Sequence, residues 1–266
     1  MTETANNGEA IKQKVKENYG AIAENSGTSC CSSSTSVAYA AMAESYSQLE
    51  GYVPEADLGL GCGLPTKFAQ IQEGDTVVDL GSGAGNDCFV ARHLTGEKGR
   101  VIGIDFTDKM IQKARENAKK LKYENVSFVQ GDIENIPLPD HVADVVVSNC
   151  VLNLVPDKMK AFREIYRILK PGGHFSVSDI VIQGNMPESL KKEVALYTAC
   201  VSGAIPKEEY GNIIESTGFK GIKIQKEKLI NIPEEVVKKY LSGQELEFYL
   251  STVKVLSISW YGEKPL

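Results

Sequence analysis

The chain has 266 residues and a formal net charge of −6, from 29 Lys and Arg against 35 Asp and Glu. Hydrophobic residues make up 42% and charged residues 24%, a globular balance that argues against a disordered chain or a disulfide-stapled miniprotein. The acidic balance without a basic block argues against nucleic-acid partners. No apolar run reaches the roughly 18–20 residues of a membrane span, and the polar N-terminus has no signal-like apolar core, so the expected address is the cytoplasm.

Residues 9–24 read as a short amphipathic helix, 25–36 as a Ser/Thr-rich loop, 37–50 as helical and 51–65 as turn-rich. From residue 75 the rhythm changes. Short apolar strands are expected at 76–80, 100–105, 126–130, 143–149 and 174–181, separated by helices at 86–95, 107–121 and from Asp157 to Pro171-Gly172-Gly173. Thr107 is the expected N-cap of the second of these helices, and Met110, Ala114, Ala118 and Leu121 its apolar face. Met159, Phe162, Ile165 and Leu169 stripe the third. Two helices follow, near 187–201 and 206–217, then two strands near 221–229 and 250–261. Strands alternating with helices imply a doubly wound, mostly parallel α/β sheet. Residues 1–65 read as an N-terminal helical and Cys-bearing extension, and 66–266 as one domain with a helical insertion near 187–217.

The first strand-to-helix junction reads Asp79-Leu80-Gly81-Ser82-Gly83-Ala84-Gly85-Asn86. Its third glycine comes one residue too early for the G-x-G-x-x-G dinucleotide fingerprint, so pyrophosphate is not the natural guest. Asp105 ends the second strand, where a carboxylate can accept both hydroxyls of a ribose. Gly131-Asp132-Ile133 follows the third strand. Here Asp132 could accept from an adenine amino group while Ile133 packs on the ring. Ser148-Asn149-Cys150 ends the fourth. All four segments lie at the carboxyl ends of strands, where open α/β sheets bind ligands.

These residues resemble the class I S-adenosylmethionine-dependent methyltransferases, which share the DLGSGAG loop, the acid after strand two, the GD after strand three and the LKPGG turn. The resemblance implies a seven-stranded Rossmann-like sheet with an antiparallel last strand and S-adenosylmethionine as donor. Asp79, Gly81, Ser82, Gly83 and Gly85 would lie at its methionine end, Asp105 at the ribose, Asp132 and Ile133 at the adenine, and Asn149 beside it. Tyr19 and Tyr46, from segments that resemble family lids, are expected near the donor.

Six cysteines remain to be explained: Cys30, Cys31, Cys62, Cys88, Cys150 and Cys200. None stands in a CxxC, and His93, His141 and His174 share no ligand spacing with them, which argues against structural zinc. Cys88, inside a helix, reads as a small buried hydrophobe. Cys150 follows a strand end that faces ligand. Cys62 between two glycines is expected to pack poorly as core, and Cys30-Cys31 stand among Ser and Thr. Cysteines converging on a methyl donor point to a soft, thiophilic acceptor. Trivalent arsenic takes three thiolates and keeps a lone pair that can attack a methyl sulfonium without a general base.

The chain also resembles the arsenite S-adenosylmethionine methyltransferases. The shared segments are VKENYGAIAE, the SCC pair, ADLGLGCG, SNCVLNLVPDK, LKPGGHFSVSDIV and LYTACVSGA, with Leu64 where the family usually carries Asn. The resemblance implies that Cys62, Cys150 and Cys200 handle arsenic, with Cys30 or Cys31 as the N-terminal cysteine. It further implies an outside thiol reductant of the thioredoxin or glutathione type, and arsenite or its thiol complexes as substrate. Two other readings stay open: a methyltransferase for a small organic molecule such as a quinone or sterol, and a thiol-based arsenic-sequestering protein.

Overall fold

The structure, a computed structural model, describes residues 3–25, 43–191 and 203–266. Seven strands make one sheet: β1 (Thr76–Leu80), β2 (Arg100–Asp105), β3 (Val126–Gln130), β4 (Ala143–Asn149), β5 (Leu169–Gln183), β6 (Lys220–Ile230) and β7 (Lys254–Glu263). Their order is β3-β2-β1-β4-β5-β7-β6. The first five run parallel, and β7 lies antiparallel between β5 and β6. This is the doubly wound, mostly parallel seven-stranded sheet expected, with its antiparallel last strand.

The central strands are apolar on both faces because both faces are covered. Val78, Leu80, Ile102, Ile104, Val146 and Phe175 share one core with Phe162 and Ile165 of the Lys158–Ile168 helix and Tyr210 of the Lys207–Ser216 helix. Val77, Val101, Val145 and Val147 share another with Phe89 of the Asn86–Thr95 helix and Ala114 of the Asp108–Leu121 helix. A third cluster joins Val15, Cys62, Cys150, Leu154, Ile180, Ile182 and Val255. It lies where the N-terminal helix, α1 (Glu3–Asn25), meets the far half of β5. Lys109 and Lys16 tie α1 and the Asp108–Leu121 helix together through Glu24 (2.6 Å) and Asp108 (3.2 Å).

Several boundaries differ from expectation. Residues 43–50 form turns rather than helix, because Tyr46 is buried and the chain wraps around it: Leu49 N–H donates to Tyr46 O at 2.8 Å. Residues 37–42 of that expected helix, and 192–202 of the helix expected near 187–201, lie outside the described residues; Glu188–Lys191 is helical. The helix capped by Asp157, whose carboxylate accepts from Lys160 N–H at 2.9 Å, ends at Ile168. Leu169 already pairs with Ala143, so β5 continues through Pro171-Gly172-Gly173, where its register against β4 shifts before His174 pairs with Val145. Pro206 is the N-cap residue of its helix, not the first helical residue. A helix, Gly243–Thr252, holds the start of the strand expected at 250–261. Thr107 occupies the expected N-cap position, but its side chain makes no cap bond. Among the described residues no helix is long and apolar enough to cross a membrane.

Candidate active site

The strand order reverses between β1 and β4, the place where open α/β sheets leave a crevice at their carboxyl ends. A cleft of about 1040 Å³, open solvent at its mouth included, lies there. Asp79, Gly81, Ser82, Gly83, Asp105, Asp132, Ile133, Asn149 and Cys150 all border it, as do Tyr19 and Tyr46. Gly85, the remaining donor-site candidate, does not border it; a Cβ there would meet Phe89 Cζ at 2.8 Å.

The glycine loop is built for close approach. Gly81 has φ +71°, and a Cβ there would meet Val151 Cγ2 at 2.3 Å, so only glycine fits. A Cβ on Gly83 would meet nothing within 4 Å; its open side is the cleft. The loop is fixed by Gly81 and Ser82 N–H groups donating to Ile104 O at 2.7 and 2.9 Å. Asp105 holds the opposite wall. Its Oδ1 accepts from Thr107 N–H at 2.8 Å and its Oδ2 from Gly83 N–H at 3.0 Å. Burial pushes this carboxyl upward, while those backbone N–H groups pull it back. Each oxygen keeps a lone pair for a ligand hydroxyl. Ser82 Oγ and Asn86 Oδ1 are buried on the same cleft without a hydrogen-bond partner, which marks places where a ligand's polar groups are wanted.

The end of the cleft at Asp132 and Ile133 carries a residue the sequence reasoning missed. Lys12 Nζ reaches Asp132 Oδ2 at 2.6 Å and also pairs with the buried Glu134. Asp132 Oδ1 accepts from Glu134 N–H at 2.9 Å. The helix-face spacing of Lys12, Val15 and Tyr19 was the available signal, since all three border the cleft.

At the other end stand two buried acids. Asp79 accepts from Cys88 Sγ at 3.2 Å, so Cys88 is a buried thiol behind the cleft, as expected. Asp87 accepts from Tyr46 OH at 2.7 Å and Thr66 Oγ1 at 3.2 Å. Burial and the neighbouring Asp87 push Asp79 well up. Burial raises Asp87 to about 6 against the hydrogen bonds from Tyr46, Asn149 and Thr66. A cation in this end of the cleft relieves both.

The acceptor side is a triad of buried groups. The side-chain ligand atoms of Cys62, Cys150 and Asp179 lie within 4.8 Å of one another. Cys62 is fully buried in an apolar cluster, contrary to the expectation that flanking glycines would keep it from core packing. The glycines instead let its turn lie flat on the sheet: a Cβ on Gly63 would meet Ser178 Cβ at 2.6 Å. Cys150 has φ +61°, a left-handed backbone held by its N–H donating to Ser178 O at 2.7 Å. Such strain, of order 1–3 kcal/mol, is stored where geometry matters. Asp179, also missed, accepts from Ile180 N–H at 3.0 Å and Tyr210 OH at 3.2 Å. Burial raises it to about 7, opposed by the Lys158 charge and those two donors. A carboxylate inside a strand of apolar and small residues was its signal in the sequence. Cys30, Cys31 and Cys200 lie outside the described residues.

Asn149, expected beside the donor, also has a second set of partners. It borders the cleft, but its Oδ1 accepts from Cys62 and Gly63 N–H groups at 3.1 and 3.2 Å, and its amide holds the Cys62 turn.

The arrangement is a largely apolar cleft with a few carboxylates and buried polar atoms on its walls, beside a pair of thiols. Residues 71–218 match a methyltransferase domain family. An arsenite methyltransferase of Halobacterium salinarum is 40% identical over 81% of this chain and 59% of its own length. One from Aquipseudomonas alcaligenes is 31% identical over 93% of this chain and 72% of its own. The crystal structure of an arsenic(III) S-adenosylmethionine methyltransferase from Chlamydomonas reinhardtii superposes with a TM-score of 0.66 at 30% identity, covering 89% of this chain and 75% of that one. The chain thus spans about three fifths of the length of the first of these relatives. It belongs to the arsenite methyltransferase family.

Proposed function

We propose that the protein transfers a methyl group from S-adenosylmethionine to trivalent arsenic held by cysteine thiolates. The observation that carries this reading is the pairing of Cys62 and Cys150 beside the donor cleft, with Cys150 on its wall. The donor supplies an electrophilic methyl on a sulfonium. Asp105 accepts its ribose hydroxyls, Ser82 and Asn86 offer buried polar partners, and Asp79 and Asp87 favour its positive end. Asp132 and Ile133 face the adenine, with Lys12 fixing Asp132. Arsenite enters as a thiol complex and exchanges onto Cys62 and Cys150, with Cys200 as the third thiolate. Relatives that carry the name arsenite methyltransferase support this acceptor.

The arsenic lone pair forms the new As–C bond, and the C–S bond electrons return to the donor sulfur, which becomes a neutral thioether. No proton moves, so no base is needed. The site contributes alignment and exclusion of water. Arsenic leaves this step oxidised by two electrons. Two thiolates, drawn from Cys30, Cys31 and Cys62, couple to a disulfide and return those electrons to arsenic. An external thiol reductant of the thioredoxin or glutathione type, in a reducing cytoplasm, then restores the thiols.

The test is incubation with donor, arsenite and a thiol, followed by separation of arsenic species. Methylated arsenicals with equal consumption of donor are expected. Arsenite bound without donor consumption would make this a sequestering protein. Turnover on an organic acceptor that survives loss of Cys150 would make it a small-molecule methyltransferase.

A further inference from the structure

Asn149 closes β4 one residue before Cys150, and its amide touches two sites at once. On one side its Oδ1 accepts from Cys62 and Gly63 N–H groups, and its Nδ2 donates to Gly63 O at 2.8 Å. The fit is close, since a Cβ on Gly61 would meet Asn149 Nδ2 at 2.6 Å. On the other side Nδ2 reaches Tyr46 OH and, at 3.3 Å, Asp87 Oδ2. Tyr46 OH itself donates to that same Asp87 oxygen at 2.7 Å. Asp87 and Tyr46 border the donor cleft.

An amide nitrogen has two protons, and here three acceptors share them. What happens at Asp87 therefore decides how firmly the amide is held. A cation seated beside Asp79 and Asp87 fixes and polarises the Asp87 carboxylate, and a charged acceptor binds its donors more strongly than a neutral one. Tyr46 and Asn149 are then drawn to it together. The amide plane stops exchanging partners, and its Oδ1 holds the Cys62 turn in one place.

We infer that Asn149 is a positioning residue that couples occupancy of the donor cleft to placement of the Cys62 thiol, with Tyr46 and Asp87 as the link. The inference rests on the reading of Cys62 and Cys150 as the acceptor site. Because binding linkage is reciprocal, arsenite must tighten donor binding by the same factor.

The experiment measures arsenite affinity by equilibrium dialysis, with and without saturating S-adenosylhomocysteine, which keeps the α-ammonium and cannot transfer a methyl. The wild-type protein is expected to bind arsenite more tightly with the nucleoside present, by on the order of fivefold or more. Tyr46→Phe removes the hydroxyl link to Asp87, leaving only the long 3.3 Å contact of Asn149 Nδ2 with Asp87 Oδ2, and spares the amide's own bonds to Cys62 and Gly63, so its ratio should fall towards one. Asn149→Ala should also lose the ratio and weaken arsenite binding without nucleoside. If that variant does not fold, Tyr46→Phe decides alone. A wild-type ratio of one, or a ratio kept in Tyr46→Phe, overturns the coupling and leaves the proposed function standing. A wild-type protein that binds the nucleoside but no arsenite overturns both.

Discussion

Replacing Asp105 with Ala tests the donor site and its architecture separately. The carboxylate does two jobs: Oδ1 and Oδ2 each accept a backbone N–H, from Thr107 and Gly83, and each offers its remaining lone pair to the cleft. Two hydrogen bonds from ribose hydroxyls to a charged acceptor are worth about 1.5–3 kcal/mol each. Their loss amounts to about 3 kcal/mol at the low end, and water admitted into the space left by the side chain recovers part of it. Affinity for the donor should fall at least about tenfold. The same change strands two backbone N–H groups in a site where Asp105 is 7% exposed, at about 1–3 kcal/mol each where water fails to reach them. Stability should therefore drop alongside affinity. Calorimetric titration with S-adenosylmethionine reads the first and thermal unfolding the second. A folded Asp105→Ala protein that binds donor as tightly as the wild type would refute the assignment, because the side chain would then be only a loop brace.

Cys150→Ser should abolish arsenite binding and methylation together while donor binding persists, since a hydroxyl is a poor ligand for a soft ion; arsenic speciation at wild-type rate would contradict it. Gly81→Ala and Gly83→Ala should separate. The first clashes with Val151 and adds strain at φ +71°, of order 1–3 kcal/mol, so it should chiefly lower the melting temperature. The second meets no atom but also sits at a left-handed φ of +51°, so it should lower donor affinity by placing a methyl in the cleft and cost some stability as well. Asp179→Asn should change how stability depends on pH. Burial raises the folded carboxyl to about 7 from 3.8, so its favourable contribution is full below pH 4 and is lost as pH rises through about 7. Relative to wild type, the variant should gain stability between about pH 5 and pH 8, by up to about 3 kcal/mol. Denaturant unfolding at both ends of that range checks the sign, and an advantage that shrinks with rising pH would be the wrong one.

The sheet was legible because its signals are local. TVVDL, RVIGID and ADVVVSN are short apolar runs ending in glycine, acid or amide, and their burial on both faces follows from strands that must be covered twice. The donor wall was legible for the same reason: the glycine loop and Asp105 sit at fixed offsets from strand ends. The acceptor side was only half legible. Cys62 and Cys150 stood out as cysteines, but Asp179 is brought to them by the length of β5, which runs ten residues beyond Leu169 before reaching it. Lys12 meets Asp132 across 120 residues of chain, so its helical spacing marked a face but not the partner. The turn at 43–50 was misread as helix because its shape is dictated by Tyr46, buried against Asp87 forty-one residues later. Boundaries failed where tertiary hydrogen bonds outweighed local propensity, as at Leu169, which pairs with Ala143 instead of closing its helix.

The turn that carries Cys62 rests on a floor of small hydroxyl residues. Ser257 Oγ donates to Cys62 O at 2.5 Å, Ser178 Oγ meets Ser259 Oγ at 2.8 Å beneath Gly63, and the Cys62 and Gly63 N–H groups end on Asn149. Every one of these partners belongs to β4, β5 or β7, the interior of the sheet. A loop anchored in this way does not open with the surface; its amides are released only when the strands below separate. Native-state hydrogen exchange should therefore place Cys62 and Gly63 among the slow core amides rather than with the neighbouring turn residues such as Gly59. The turn's backbone is then as durable as the fold itself under thermal or chemical stress that leaves the sheet intact, and what the inferred coupling adjusts is the finer placement of the Cys62 side chain upon it.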